Sequence, residues 1–168
     1  MRYLKIDNFD VCNGEGFGVV LWVSGCDVHC PGCHNPETWD SNVGKLFTEK
    51  EEKEILQRLS KPYISRLTLT GGHPLMACNR KDVLSFVQKV KENYPKINIW
   101  LYTGYDIESD ICKKSTTIQE IFKHCDVIVD GPFVEAKYQK NLAYRGSSNQ
   151  RIIDIQEYLR TGLIKEIF

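Results

Sequence analysis

The sequence predicts an α/β fold, a partial and open β/α barrel built around a mostly parallel sheet. Four apolar, β-rich runs alternate with helical patterns, and this alternation is typical of parallel strands joined by helical crossovers. With 168 residues, the chain is too short for a full eight-unit barrel, which typically needs ~250 residues. No linker rich in proline, glycine or serine divides residues 1–168, so they are interpreted as a single domain.

The four predicted strands are short apolar runs that end in small or polar residues. They cover residues 19–23, 67–70, 97–102 and 126–130, and their ends are Ser24-Gly25, Gly71-Gly72, Thr103-Gly104 and Asp130-Gly131. In parallel α/β sheets, ligands gather at the carboxyl ends of the strands. We therefore expect these four ends, which are far apart in sequence, to lie along one edge of the sheet and to form a site.

Helical patterns occupy the intervals between the strands. They are predicted over residues 48–59 and 79–93, as one or two short helices within 106–124, and as a short packing helix within 152–168. Thr48 with Glu51 forms a capping-box pattern at the start of the first helix. Thr117 with Glu120 is a second capping-box candidate. These helices would supply the crossovers that parallel strands require.

Composition and charge narrow the function classes. The 22 basic residues balance the 22 acidic ones, so no net charge favours nucleic acid or an acidic membrane as a partner. The sequence has no apolar run of membrane-spanning length and no signal peptide, so a cytoplasmic protein is expected. The cytoplasm keeps thiols reduced, and three of the seven cysteines are closely spaced. That clustering favours metal ligation over disulfides.

The cysteine-rich segment Ser24–Asn35 carries Cys26, Cys30 and Cys33 in a C-x3-C-x2-C spacing. Three thiolates on one loop can each bind a different iron of a cubane cluster. Because a fully protein-bound 4Fe-4S cluster normally takes four cysteines, one iron would stay open. An open iron can chelate a small molecule, as catalytic zinc keeps an open position. The amino and carboxylate groups of S-adenosylmethionine (SAM) suit such a chelate, in which the cofactor carries the radical chemistry.

Three other interpretations of the same loop stay open on the residues alone. The three cysteines together with His29 or His34 could make a structural Cys3His zinc site. Residues 30–34 match the C-x-x-C-H pattern of covalent haem attachment, although that chemistry usually needs an exported chain and leaves the first cysteine unused. The second and third cysteines could also form a redox dithiol, in which the upstream cysteine would have no part.

Several motifs occur in a fixed order and spacing along residues 11–151 of the sequence. They are C-N-G-E-G at 12–16, V-S-G-C-D-V-H-C-P-G-C-H-N at 23–35, T-W at 38–39, T-L-T-G-G-H-P-L at 68–75, I-W-L-Y-T-G-Y at 99–105, D-V-I-V-D-G-P-F at 126–133 and Y-R-G-S-S-N-Q-R at 144–151. With these motifs the sequence resembles the radical SAM activating enzymes of glycyl-radical proteins, and among them the activases of the anaerobic (class III) ribonucleoside-triphosphate reductase.

The resemblance implies a function, a fold of the radical SAM type and a set of partners. A reduced 4Fe-4S cluster would cleave SAM to methionine and a 5′-deoxyadenosyl radical, which would remove a Cα hydrogen from one glycine of the large reductase subunit. The cluster and SAM would carry the chemistry, with no catalytic side chain. The implied partners are that large subunit and an electron donor such as flavodoxin. A homodimer, or a complex with a reductase dimer, is compatible with the resemblance.

The resemblance also implies the residues of the site. The cluster ligands would be Cys26, Cys30 and Cys33. The SAM-binding residues would include Gly32, Cys33, His34, Gly71 and Gly72, and the strand ends add Thr103 and Asp130 as candidate polar contacts that capping of the strand ends explains equally well. Gly71 and Gly72 would let SAM approach bare backbone, because glycine has no side chain to block it.

Four positions depart from the usual pattern of the family. His34 replaces an aromatic residue, most often tyrosine, and can still stack on adenine. His73 stands where aspartate or glutamate is usual in the Gly-Gly-x-Pro motif. If that position contacts SAM through its backbone the change is harmless, whereas a role for the carboxylate would mean weaker SAM binding. Pro132 replaces a common lysine, and Tyr144 a common tryptophan.

Two glycine-containing loops have both structural and functional interpretations. Residues 13–18 are glycine-rich and form either a tight turn or a border of the SAM or partner site. Residues 145–150 form either a surface turn or a loop close to the site.

Overall fold

The computed structural model describes residues 1–168 and contains seven strands and five α-helices. The strands are β1 (Arg2–Asp10), β2 (Gly18–Val23), β3 (Lys45–Leu46), β4 (Arg66–Gly71), β5 (Asn98–Tyr102), β6 (Val127–Asp130) and β7 (Arg151–Asp154). The helices are α1 (Glu49–Leu59), α2 (Arg80–Asn93), α3 (Asp110–Lys114), α4 (Thr116–His124) and α5 (Ile155–Thr161). Two single 3-10 turns lie at Pro36–Thr38 and Glu135–Lys137. No helix has the length and apolar character needed to cross a membrane.

All seven strands form one sheet in the order β3-β1-β2-β4-β5-β6-β7. The four central strands β2, β4, β5 and β6 are parallel, as predicted from the alternation of strands and helices. The flanking strands β1, β3 and β7 are antiparallel, and none of them was predicted. In β1 only Tyr3 is buried, so this strand has no continuous apolar run to reveal it. The sheet is therefore a parallel centre with an antiparallel strand pairing at each flank.

The predicted elements are confirmed with small shifts at their ends. Each of the four predicted strands is present within one residue of its expected bounds, and the capping box of α1 is formed by Thr48 and Glu51. The prediction of a capping box at Thr117 is wrong. The N-cap of α4 is Ser115, whose side chain accepts a hydrogen bond from the Ile118 N–H. The last helix is confirmed only for Ile155–Thr161, since the residues just before it form β7.

The helices cover one face of the sheet. Alternate strand residues such as Leu21, Leu69 and Leu101 join helix residues such as Phe86 and Phe122 in a cluster of 26 buried apolar residues. The other face carries a smaller buried cluster, which contains no helix residue. Its members are Trp100, Val127, Val129 and Ile152. This second face, left uncovered by helices, borders the candidate site.

Candidate cluster and cofactor site

The carboxyl ends of the central strands lie side by side, as the sequence predicts. The register pairs Val23 of β2 with Gly71 of β4, and the Gly72 N–H donates to the Val23 carbonyl at 2.8 Å. The Thr103 N–H, just after β5, donates to the Val129 carbonyl of β6 at 2.8 Å. The loops that follow β2, β4 and β5 therefore start at one edge of the sheet.

The cysteine loop follows β2 and turns tightly. His29 and Gly32 both have left-handed backbone conformations, with φ of 49° and 72°. The Cys33 N–H donates to the Cys30 carbonyl at 3.0 Å and closes the second of these turns. A Cβ atom on Gly32 would lie 3.1 Å from the Glu135 carboxyl carbon, so glycine suits both the conformation and the space.

The T-W motif holds the start of the cysteine loop. The Gly25 N–H donates to the Thr38 carbonyl at 2.7 Å, and the Cys26 N–H donates to the Trp39 carbonyl at 3.0 Å. The His29 ring stacks on Trp39 with a centroid distance of 4.8 Å. The 3-10 turn at Pro36–Thr38 and the residue after it therefore anchor the loop on which the three cysteines lie.

The three thiols of the loop are free and partly exposed. Burial raises the pKa of the Cys30 thiol, a backbone hydrogen bond from Phe133 opposes this effect, and the nearby thiols of Cys26 and Cys33 raise the pKa further. No three histidine, cysteine or acidic side chains are arranged to hold a single metal ion. Cysteine ligands must lose their protons to bind metal. Three free thiols on one short, anchored loop fit a thiolate-ligated iron–sulfur cluster.

The Gly-Gly loop packs directly on the beginning of the cysteine loop. The His73 N–H donates to the Gly25 carbonyl at 2.7 Å. A Cβ atom on Gly72 would lie 2.5 Å from that same carbonyl oxygen, and a Cβ atom on Gly71 would lie 3.0 Å from the Trp22 Cα. Both glycines are therefore required by the close approach of β2 and β4, whether or not SAM also uses their backbone.

His73 and Thr103 belong to one buried polar network. The His73 Nδ1 lies 2.6 Å from Asp27 Oδ1, and its Nε2 lies 2.8 Å from Thr103 Oγ1. The Tyr105 hydroxyl donates to the second oxygen of Asp27. Burial lowers the pKa of His73 against the opposing effect of Asp27. A neutral ring with its proton on Nδ1 would donate to Asp27 and accept from Thr103. Burial opposes ionisation of Asp27, but hydrogen bonds from Tyr105 and His73 outweigh it and lower the pKa of that carboxyl.

Asp130, the end of β6, is buried and has partners away from the cysteine loop. Its carboxylate accepts from the Ile107 N–H at 3.0 Å and from Arg151 Nε and Nη2 at 2.9 and 2.5 Å. These hydrogen bonds to Asp130 raise the pKa of Arg151 above its ordinary value. This carboxylate therefore joins the loop after β5 to β7, and its contact with SAM stays a prediction.

An open cleft of about 400 Å³ lies beside the cysteine loop, against the uncovered face of the sheet. Its lining residues are Cys12, Asn13, Trp22, Cys33, His34, Asn35, Thr70, Tyr102, Phe133, Tyr138, Gln139, Lys140, Leu142, Tyr144, Arg145, Gly146 and Gln150. The sequence pointed to Cys33 and His34 and to the loop at 145–150, whereas Tyr102, Tyr138 and Lys140 were missed. Lys140 and Arg145 are cationic, and no acidic side chain lines the cleft.

Aromatic residues surround His34 at this cleft. Its ring lies 4.7 Å from the Phe133 ring and 6.2 Å from the Tyr138 ring, the latter at an interplanar angle of 89°. A Cβ atom on Gly146 would lie 3.0 Å from Phe133 and 3.3 Å from His34. The Gly146 N–H donates to the Gln150 side-chain oxygen at 2.9 Å. The loop at 145–150 therefore packs on His34, which supports the functional interpretation of that loop.

The glycine-rich loop at residues 13–18 wraps the buried Arg66, which the sequence did not single out. The Arg66 guanidinium donates to Asp10 Oδ2 and to the Asn13 carbonyl, each at 2.7 Å. A Cβ atom on Gly14 would lie 2.7 Å from Arg66 Cδ, and one on Gly18 would lie 2.6 Å from its Cζ. The glycines of this loop make room for the arginine, and Asn13 faces the cleft.

Comparison with known proteins gives two consistent findings. The sequence model of the family described as "4Fe-4S single cluster domain" matches residues 12–153. The chain is 46% identical to the anaerobic ribonucleoside-triphosphate reductase-activating protein of Enterobacteria phage T4, over 90% of this chain and 93% of that protein. The protein of the same name from Pasteurella multocida is 40% identical, over 94% of this chain and 100% of its own length. That of Escherichia coli K12 is 37% identical, over 89% and 96%.

Proposed function

The chain belongs to the family of anaerobic ribonucleoside-triphosphate reductase-activating proteins with a 4Fe-4S domain, and from this premise we propose that it is a radical SAM activase. It would generate a glycyl radical on the anaerobic reductase. The observation that supports this most directly is the anchored loop of three free thiols, which packs on the Gly-Gly loop and lines the cleft with Cys33. Residues 1–168 would form one radical SAM domain, with the parallel strands as an open part of a β/α barrel.

In this proposal Cys26, Cys30 and Cys33 hold the cluster. When bound and reduced, a cluster there would supply an electron for the cleavage of SAM to methionine and a 5′-deoxyadenosyl radical, which would take a Cα hydrogen from a glycine of the reductase. The protein's part is to bind, orient and shield, because the cofactor supplies the radical chemistry. The turns at His29 and Gly32 and the bonds to residues 38–39 fix the loop before the cofactors arrive.

SAM would occupy the cleft beside the cysteine loop. His34 and Phe133 would offer an aromatic wall for adenine, since their rings lie 4.7 Å apart at the cleft. The amino end of SAM would reach the backbone of Gly71 and Gly72, which directly follow Thr70 in the wall of the cleft. Lys140 and the loop at 145–150 would border the rest of the ligand.

The partner would enter through the open side of the same cleft. The names of the relatives support an anaerobic ribonucleoside-triphosphate reductase as the protein that is activated. The large subunit of that reductase would present its glycine on a segment narrow enough to reach SAM. An electron donor such as flavodoxin would reduce the cluster, and a homodimer stays a prediction.

The first test is anaerobic reconstitution with iron and sulfide, followed by reduction and EPR with and without SAM. We expect a reduced 4Fe-4S signal whose shape changes when SAM is added, because SAM would bind the open iron. Cys30→Ala should abolish the signal. Cys78→Ala is the matched control, since this exposed free thiol lies outside the loop and its loss should change nothing.

Two results would contradict the proposal. One is a protein that takes up a single zinc ion and no cluster, which would favour the Cys3His alternative. The other is a cluster whose EPR spectrum is indifferent to SAM. A further check is the organic radical signal on the large reductase subunit, which should require the cluster, SAM and a reductant together.

A further inference from the structure

His73, the third residue of the Gly-Gly-x-Pro motif, is buried between the loops that follow β2, β4 and β5. Its side chain is 1% exposed, and both of its ring nitrogens already have protein partners. The ring also packs edge-on against Tyr105, with a centroid distance of 4.1 Å and an interplanar angle of 87°. No polar atom of this imidazole is free to reach a ligand in the cleft, and His73 is not among the residues that line the cleft.

The partner of His73 on the cysteine loop is Asp27, the residue directly after Cys26. One oxygen of Asp27 meets His73 Nδ1 at 2.6 Å, and the other accepts from the Tyr105 hydroxyl. Thr103 Oγ1 meets the other ring nitrogen of His73 and also accepts from the Tyr105 N–H at 3.1 Å. One carboxylate on the cysteine loop is thereby joined to two other strand-end loops.

Hydrogen bonds to backbone carbonyls also connect the start of the cysteine loop to the Gly-Gly loop. The His73 N–H donates to the Gly25 carbonyl at 2.7 Å. The buried Asn79 side chain donates to the Ser24 carbonyl at 2.9 Å and to the His73 carbonyl at 3.1 Å. The chain is therefore held on both sides of Cys26, through Ser24 and Gly25 before it and through Asp27 after it.

We propose that His73 is a positioning residue that fastens the cysteine loop to the Gly-Gly loop and makes no contact with SAM. The inference rests on the proposed function, in which the cysteine loop holds the cluster. His73 holds Asp27, the residue that directly follows the cluster ligand Cys26, so its loss would loosen the cluster and leave the SAM-binding surface intact. Thr103 takes part in the same network through its hydroxyl, which is engaged by His73.

The test compares cluster retention with SAM affinity in two single variants and their combination. His73→Phe removes both ring hydrogen bonds and keeps an aromatic ring in the space, while Asp27→Asn keeps the shape of its side chain and removes the charge. Residues that support metal ligands typically alter metal affinity ~10–100-fold when they are replaced. We therefore expect each single variant to lose its cluster to an iron chelator at least ~10-fold faster than the wild type.

The affinity of the cluster-loaded variants for SAM should stay within about twofold of the wild type, because the imidazole does not face the cleft. The double variant should lose its cluster no faster than the single variants, since both changes break the same connection. His124→Gln is the matched control, since His124 ends α4 outside this network, and it should leave both measurements unchanged.

Hydrogen exchange on the apo protein separates this inference from the proposed function. In His73→Phe, the amides of residues 26–30 should exchange faster than in the wild type, whether or not the protein binds SAM. If the exchange of these amides and the rate of cluster loss are both unchanged, the inference is wrong. It is also wrong if His73→Phe weakens SAM binding ~10-fold while the cluster is retained, since His73 would then contact the ligand.

Discussion

At the residue scale, the buried Arg66 shows how one side chain shapes the border of the cleft. It is 0% exposed, and it holds the loop after β1 through Asp10 and the Asn13 carbonyl. Burial opposes ionisation of Asp10, but hydrogen bonds from Arg66 and Asn13 outweigh it, so the pKa of this carboxyl is lowered. Breaking a buried ion pair by removing one partner is costly, because it leaves an uncompensated charge.

Replacing Arg66 with methionine should destabilise the protein by about 3–5 kcal/mol at neutral pH. A carboxyl whose folded pKa is lowered contributes stability above its unfolded pKa, and this contribution is lost as the pH falls through the folded value. The difference between wild type and Arg66→Met should therefore shrink as Asp10 becomes protonated in acid. Urea unfolding between pH 7 and about pH 2, which includes the range below the ordinary pKa of an aspartate, measures this, and a difference that does not vary with pH would contradict it.

At the scale of the elements, the site depends on how closely β2 and β4 approach each other at their carboxyl ends. A Cβ atom on Gly72 would meet the Gly25 carbonyl oxygen at 2.5 Å and the Val23 carbonyl oxygen at 3.0 Å. Both contacts are with backbone, which cannot rotate away as a side chain can. The Gly-Gly loop is thus a packing requirement of the sheet as well as a candidate SAM contact.

We expect Gly72→Ala to lower the free energy of unfolding of the apo protein by about 1–3 kcal/mol, because overpacked sites force the backbone to shift. The shift would also displace the cysteine loop, so reconstitution should yield less cluster. Gly162→Ala serves as the control: its Cβ meets nothing within 4 Å, although its φ of 73° is strained for alanine. That variant should be less stable than the wild type but should take up a normal amount of cluster, as measured by iron analysis.

At the scale of the whole molecule, the hydrophobic core and the cysteine loop are separate. The 26 buried apolar residues of the main core include none of Cys26, Cys30 and Cys33, and the three thiols are partly exposed. The core joins the sheet to all five helices, so we expect the fold to form without a cluster. This differs from small zinc domains, which are unfolded without metal.

The triple variant Cys26→Ser, Cys30→Ser, Cys33→Ser should therefore fold. Substitutions away from the core typically change stability by no more than about 0.5 kcal/mol each, so the unfolding midpoint should stay close to that of the apo wild type. Far-UV circular dichroism and thermal unfolding measure this. A triple variant that unfolds, or a wild type that a chelator unfolds, would support a structural metal instead.

The sequence by itself determined the features whose causes are local. The cysteine spacing, the capping box of α1 and the four central strands each depend on residues close together in the chain, and the structure contains all of these elements. Motifs over most of the chain also indicated the family that the relatives confirm. The strands β1 and β7 were missed, because a half-buried strand and a four-residue strand before a helix lack a continuous apolar run.

Only the tertiary structure decided which side chains meet. Asp27 reaches His73, 46 residues away, and Tyr105, 78 residues away, while Arg66 reaches Asp10 across 56 residues. None of these pairs follows from local spacing, since each is produced by the order of strands in the sheet. The parallel crossovers bring distant strand ends to one edge, and burial there favours hydrogen bonds between polar groups that are far apart in the chain. The physical reason is that sequence pattern fixes local conformation, whereas the packing of the sheet fixes long-range contact.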